Sequence, residues 1–286
     1  MRAQTELLRL GVRGALEARQ RAGYRYDEPV CVYDLADRLG VEVKFCTGNS
    51  FGGMYTKSSK TVLIPTLRPP GRQAFTCAHE LGHWFFDHGS RLDDPRIMER
   101  GSDDDPQEQL AHTFASHLLM PSWAVKRAFG ERTLDPERSS PLQIYTVAMQ
   151  LGVGYTTLIF HLSYALQLLS HARTKVLLRS SPSDIRAELL GQTKVRHLIV
   201  VDGYWRGVPI DMQVDDMAIL PLGVRPEGLA AEIVGEHSLG ILIQAQRPGI
   251  SRFEQTDEKW AAFVRVSRKN YEGRSRFRHL EDPDAD

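Results

Sequence analysis

The chain has 286 residues, 42% of them hydrophobic and 25% charged, with 36 basic and 36 acidic side chains. That length exceeds one ordinary domain, and the balanced charge excludes binding of nucleic acid by bulk charge, so any such contact needs a local patch. Three cysteines without paired spacing, Cys31, Cys46 and Cys77, argue against a disulfide framework and for a reducing, cytoplasmic setting.

The N-terminus alternates charge with leucine and lacks the apolar run of a signal peptide; residues 5–20 predict an amphipathic helix. "VYDLADRLG" predicts a short helix closed by Gly40, and "VEVKF" a strand. "FGGMY" and "TVLIP" predict two more strands around the turn "TKSSK". "LRPPGR" leads into a helix through "AFTCAHELGHWFFDH". The acidic loop "GSDDDP" precedes a further helix, "PQEQLAHTFASHLLM", stopped by Pro121. Ser140 and Pro141 open two helices around an "LGVG" turn, with a helix-turn-helix outline over residues 122–172. The greasiest stretch, "TTLIFHLSYALQLL", is interrupted by His161, Ser163 and Gln167 and is too short to span a bilayer, so no membrane association is expected.

Beyond about residue 175 the texture becomes β-branched. "RHLIVVDGYWRGVPIDMQV" and "AEIVGEHSLGILIQAQ" predict strands, and "DEKWAAFVRVSRKNY" a final helix with Trp260, Phe263, Val264 and Tyr271 on one face. The expectation is an α+β protein: a domain over residues 1–175 and a smaller mixed α/β domain over residues 176–286.

Chemistry concentrates in His79-Glu80-Leu81-Gly82-His83, an HExxH pattern. Histidines four apart share a helix face, so both imidazoles can reach one metal. Glu80, displaced about 100° round the helix, can touch a water at that metal without taking a coordination place. Zinc chemistry uses such a carboxylate as general base, and a third protein ligand is needed to complete a catalytic site with one open position. The extended pattern HExxHxxGxxH fails, because Phe86 and Gly89 occupy its glycine and third-histidine positions. His88 falls off the metal-facing stripe and is expected to be a helix-end bystander. Glu108 is the candidate third ligand, but Asp105-Pro106-Gln107-Glu108 also has the form of a helix cap with an acid at N3, and spacing leaves both roles open. Cys77 lies about 160° from His79 round the helix and is expected to be a packed core thiol.

"GRQAFTCAHELGHWFFDH" followed by "EQLAHTFASHLLMP" resembles the ImmA/IrrE family of zinc-dependent peptidases, with blocks in order over roughly residues 25–125. The resemblance implies a zincin-like fold, zinc (Zn2+) held by His79, His83 and Glu108, and Glu80 as general base. It further implies, as substrate and partner, a helix-turn-helix transcriptional repressor. Cleavage would switch on stress, mobile-element or phage-defence genes, often after DNA damage. The chain departs from the family at His112, where asparagine is usual. His112 is four residues after Glu108, on the same face, and is either a partner of a metal ligand or a partly buried polar residue. Two other classes remain open: a non-catalytic zinc-bearing sensor acting by binding, and a direct DNA-binding regulator. The would-be recognition helix Tyr155–Leu169 has no lysine or arginine, which argues against the latter. In the C-terminal half, Tyr204, Trp205 and Arg206 together with Arg274, Arg276 and Arg278 are candidates for a single-stranded DNA site, against the plainer reading of core aromatics and a solvated basic stretch.

Overall fold

In the computed structural model the described residues are 2–48, 52–89, 91–92, 105–191, 195–256 and 259–280. The chain divides into two units. The first comprises Met1–Arg127, Leu151–Val153 and Glu272–Arg276, and the second Ala128–Gln150, Gly154–Tyr271 and Phe277–Asp286.

The first unit begins with α1 (Arg2–Arg21), whose small residues Gly11, Gly14, Ala15 and Ala18 face inward. That face lets α4 (Pro106–Leu119) approach so closely that a Cβ on Gly11 would lie 2.8 Å from the Thr113 Cβ. Arg19 is fully buried near the end of α1. Its guanidinium donates to the carbonyls of Leu118, at 2.7 Å, of Arg25, at 2.8 Å, and of Glu28. One side chain thus satisfies a carbonyl at the end of α4, which no longer has a helical partner, and ties down the turn after α1. Next come α2 (Val32–Arg38) and β1 (Glu42–Cys46), separated by Gly40 at φ 73°.

β1 alternates, burying Val43 and Phe45, and pairs in parallel with β3 (Thr61–Pro65), which buries Val62 and Ile64. β2 (Met54–Thr56) runs antiparallel to β3. On its other side β2 pairs with β4 (Arg91–Leu92), Met54 opposite Leu92 and Tyr55 opposite Arg91. β2 is therefore an inner strand of its sheet; Ser50 and Phe51, shortly before it, lie outside the described residues. So do residues 101–104 of the acidic loop and the tail 281–286. α3 (Pro70–Phe85) follows β3, with Pro70 in its first turn.

α5 (Ser122–Glu131) carries the chain on to the second unit. α6 (Pro141–Gln150) opens on a reciprocal cap in which the Gln143 N–H donates to Ser140 Oγ at 3.2 Å and the Ser140 N–H to Gln143 Oε1 at 2.8 Å. α7 (Tyr155–Phe160) runs into a π-helical turn at His161–Ala165. α8 (His171–Leu177) and α9 (Pro182–Leu190) are capped by Ser170 and Ser181. Two four-stranded sheets complete the unit. β5 (Leu198–Val200), β7 (Met217–Leu220), β10 (Gly240–Ala245) and β9 (Ala231–His237) lie side by side in that order in one. β6 (Ile210–Gln213), β12 (Ala261–Ser267), β11 (Gly249–Gln255) and β8 (Val224–Glu227) make the other. Their inward residues form one cluster, including Ile199, Leu220, Ile243, Ile210, Phe253, Val264 and Val266.

β12 corrects the expected final helix. Ala262, Val264 and Val266 are buried while Phe263 between them is 56% exposed, the period of a strand. β12 pairs in parallel with β6 and antiparallel to β11, and its Ala262, Val264 and Val266 join the buried cluster. The short β13 (Gly273–Arg274) returns to the first unit and pairs with β1.

Candidate metal centre

α3 and α4 build the site. His79 and His83, one helical turn apart on α3, present their Nε2 atoms 3.1 Å from each other. Glu108, in the first turn of α4, sets Oε2 3.2 Å from His79 Nε2 and Oε1 3.4 Å from His83 Nε2. All three side chains are buried. Gly82 makes the meeting possible. A Cβ there would stand 2.9 Å from the Ala111 Cα and 3.2 Å from the Ala111 carbonyl oxygen, both backbone atoms that cannot swing aside. The glycine inside the histidine motif thus brings the backbone of α4 against α3, three residues past Glu108.

Spacing alone left Glu108 between a cap and a ligand. The structure gives the cap to Asp105, whose Oδ1 accepts from the Gln107 N–H at 2.9 Å, and turns the Glu108 carboxylate to the histidines. Burial pushes the Glu108 carboxyl up, but hydrogen bonds and charge from His79 and His83 outweigh it and hold the group well below its ordinary range.

These donors fit a metal. Among the described residues His79, His83 and Glu108 form a group whose ligand atoms lie within 4.8 Å of one another. Donors around a tetrahedral zinc at about 2.0–2.1 Å stand about 3.3–3.4 Å apart; the two Nε2 atoms are 3.1 Å apart, and Glu108 brings one carboxylate oxygen to 3.2 Å from His79 and the other to 3.4 Å from His83. Two imidazoles and one carboxylate suit zinc, and three protein ligands leave one position open. Glu80 is fully buried beside His79. The backbone at Gly53, just before β2, presses on it: a Cβ at Gly53 would collide with the Glu80 carboxylate and lie 2.6 Å from Thr76 Cγ2.

Residues 36–163 match the family model Peptidase_M78, the IrrE N-terminal-like domain. This segment belongs to the IrrE-like peptidase family. No curated protein matches the chain. Among solved structures, a Mycobacterium tuberculosis transcriptional regulator is similar at 18% identity and a TM-score of 0.38, over 56% of this chain and 51% of that one. The match therefore spans about half the length of that relative.

Within the IrrE-like domain, Cys77 is fully buried and stands outside the metal-ligating group, as its place on the helix led us to expect. Cys46 donates to the Ile64 carbonyl at 3.8 Å, and burial raises its thiol pKa. His112 lies on the open side of α4 with its ring 5.2 Å from that of Phe75, and it too stands outside the ligand group. His88 departs from expectation. Its Nδ1 is 2.9 Å from His83 Nδ1, so it is no bystander. Helical spacing could not reveal this, because α3 has already ended at Phe85. The available signal was Asp87 and Gly89, both of which adopt left-handed backbone, at φ 56° and 79°, and turn His88 back.

The candidate nucleic-acid residues are divided between the two units. Trp205 is 3% exposed, part of the second unit's core, and donates from Nε1 to the Val208 carbonyl, so its faces cannot stack a base. Tyr204 is 45% exposed, with the Arg132 guanidinium 5.5 Å from its ring centre. Arg206 is exposed beside it. Arg274 and Arg276, in the first unit, both pair with Glu42, at 2.8 and 3.5 Å. Arg278 is buried in the second unit and pairs with Asp211 at 2.8 Å.

Proposed function

We propose that the chain is a zinc-dependent endopeptidase that cleaves a helix-turn-helix transcriptional repressor, with residues 176–286 as its regulatory part. The observation that carries the reading is the buried triad His79, His83 and Glu108 with Glu80 set beside it. Bound there, zinc would supply a lowered pKa for water and polarisation of the scissile carbonyl. His79, His83 and Glu108 would hold the ion. Glu80 takes the proton of the attacking water and returns it to the leaving amide nitrogen, a role that calls for a carboxylate shielded from bulk solvent and close to the reacting atoms. The IrrE-like family match supports the choice of a regulatory protein as substrate.

The test is incubation of the zinc-loaded protein with the helix-turn-helix protein encoded beside it, with and without single-stranded DNA. The Glu80→Gln variant is run in parallel, and zinc is measured in both. The expected outcome is a discrete fragment from the wild type and a loss of cleavage by about 100-fold or more in Glu80→Gln, with zinc content unchanged. An intact partner whose repression is nevertheless relieved, equally by both proteins, would replace cleavage with regulation by binding.

A further inference from the structure

We infer that His88 is a positioning residue for the metal: it fixes the ring orientation and tautomer of His83 and so sets the affinity of the site for zinc. The inference rests on the metal reading above but not on peptidase activity.

The geometry runs as a chain of contacts. The His83 ring places Nε2 among the donors of His79 and Glu108, at 3.1 and 3.4 Å. Its other nitrogen, Nδ1, meets His88 Nδ1 at 2.9 Å. An imidazole that gives Nε2 to a metal carries its proton on Nδ1. His83 Nδ1–H therefore donates, and His88 Nδ1 accepts, with the His88 proton on Nε2. A histidine ligand oriented through its second nitrogen is usual at zinc sites, where the acceptor is commonly a carboxylate or a backbone carbonyl. Here a neutral imidazole takes that place.

His88 is itself held. Its N–H donates to the His83 carbonyl at 3.0 Å, closing the turn that the left-handed Asp87 begins. Its ring stacks on Phe86, centroids 5.8 Å apart and planes 23° apart. Phe86 in turn packs edge-on against Phe114 of α4, at 5.8 Å, and fills the space left by Gly14 of α1, where a Cβ would stand 2.6 Å from the ring. The acceptor that orients His83 is thus braced by α1 and α4 rather than carried on a free loop end.

The test separates hydrogen bonding from packing. His88→Phe keeps a ring to stack on Phe86 and removes the acceptor. His88→Asn places Oδ1 where Nδ1 stands and keeps the acceptor without the ring. Zinc affinity is measured for each by titrating zinc(II) against a chromophoric chelator, alongside thermal melting of the metal-free proteins. His88→Phe should weaken zinc binding by about 10- to 100-fold with metal-free melting little changed, and His88→Asn should stay within a few-fold of the wild type. Equal affinity in His88→Phe and the wild type overturns the inference and leaves the peptidase reading standing. A loss in both variants that follows the metal-free melting temperature also overturns it, because packing alone would then account for the effect. A wild type that takes up no zinc overturns both readings.

Discussion

Gly82 sits between the two metal-binding histidines, and its missing Cβ decides how close α4 can come. With Ala111 backbone atoms 2.9 and 3.2 Å from where a Cβ would be, Gly82→Ala must push the helices apart. Glu108 is one turn away on the same helix and would move with Ala111. Overpacking of this kind costs about 1–3 kcal/mol. We expect Gly82→Ala to lower the denaturant midpoint by a corresponding amount and to weaken zinc binding in the chelator competition. Unchanged zinc affinity would show that α4 does not set the position of the third ligand. At this scale much of the site was legible in the sequence. The four-residue spacing put His79 and His83 on one face, and the residue beside His79 supplied the carboxylate. What spacing could not decide was the role of Glu108, because a capping acid and a ligand look alike until a second residue, Asp105, is seen to do the capping. Nor could it find the pressure of Gly53 on Glu80, which comes from the backbone just before β2, outside α3.

β6 and β12 show what was harder to read at the scale of elements. In "DEKWAAFVRVSRKNY" Trp260, Phe263 and Val264 have helical spacing, but Ala262, Val264 and Val266 also alternate, and the alternation wins because those three are buried in the cluster of inward residues. Parallel pairing of β12 with β6, some fifty residues earlier, leaves no local signature in either strand. The hairpin-forming β9 and β10 and, in the first unit, β1, β2 and β3 were legible, since turn residues and alternation coincide there. Pairing β12 with β6 also creates an ionic cluster. Asp211 on β6 accepts from Arg265 on β12 at 2.6 and 2.9 Å and from Arg278 at 2.8 Å. Burial pushes the Asp211 carboxyl up, but the charges of Arg278 and Arg265 outweigh it and hold it well below the usual carboxylate range. A carboxyl depressed by folding stabilises the fold fully above its unfolded value, about pH 4, and loses that contribution as pH falls through its folded value. Asp211→Asn should therefore lower stability at neutral pH by about 2 kcal/mol and make acid unfolding between about pH 5 and 2 shallower than in the wild type. Denaturant midpoints measured across that range check both signs; parallel curves for the two proteins would remove Asp211 from the acid response.

At the scale of the whole molecule, the first unit is not one continuous stretch of chain. Its sheet takes β13 from residues 273–274, nearly two hundred and thirty residues after its partner β1. Lys44 pairs with Arg274 and Phe45 with Gly273, and Glu42 draws in Arg274 and Arg276. Helices give way to strands only after α9, at β5, later than the change of sequence texture near residue 175, and such a change carries no information about which strand joins which sheet. A fragment ending at residue 175 would keep α3 and α4, with every proposed zinc ligand, but would uncover the backbone edge of β1. It would also strand α6, whose buried Ile144, Val147 and Ala148 belong to the second unit, and remove the Leu198 carbonyl that accepts from the Tyr145 hydroxyl at 2.5 Å. An open strand edge and exposed core residues both favour association. Exposed ion pairs such as Glu42–Arg274 contribute little, so the loss is expected mainly from the edge and the bared helix. The 1–175 fragment should bind one zinc per chain, melt below the zinc-responsive transition of the full chain, and associate in a concentration-dependent way by light scattering. A monodisperse fragment that melts with the full chain would mean that β13 and the second unit contribute nothing to the stability of the segment carrying the site.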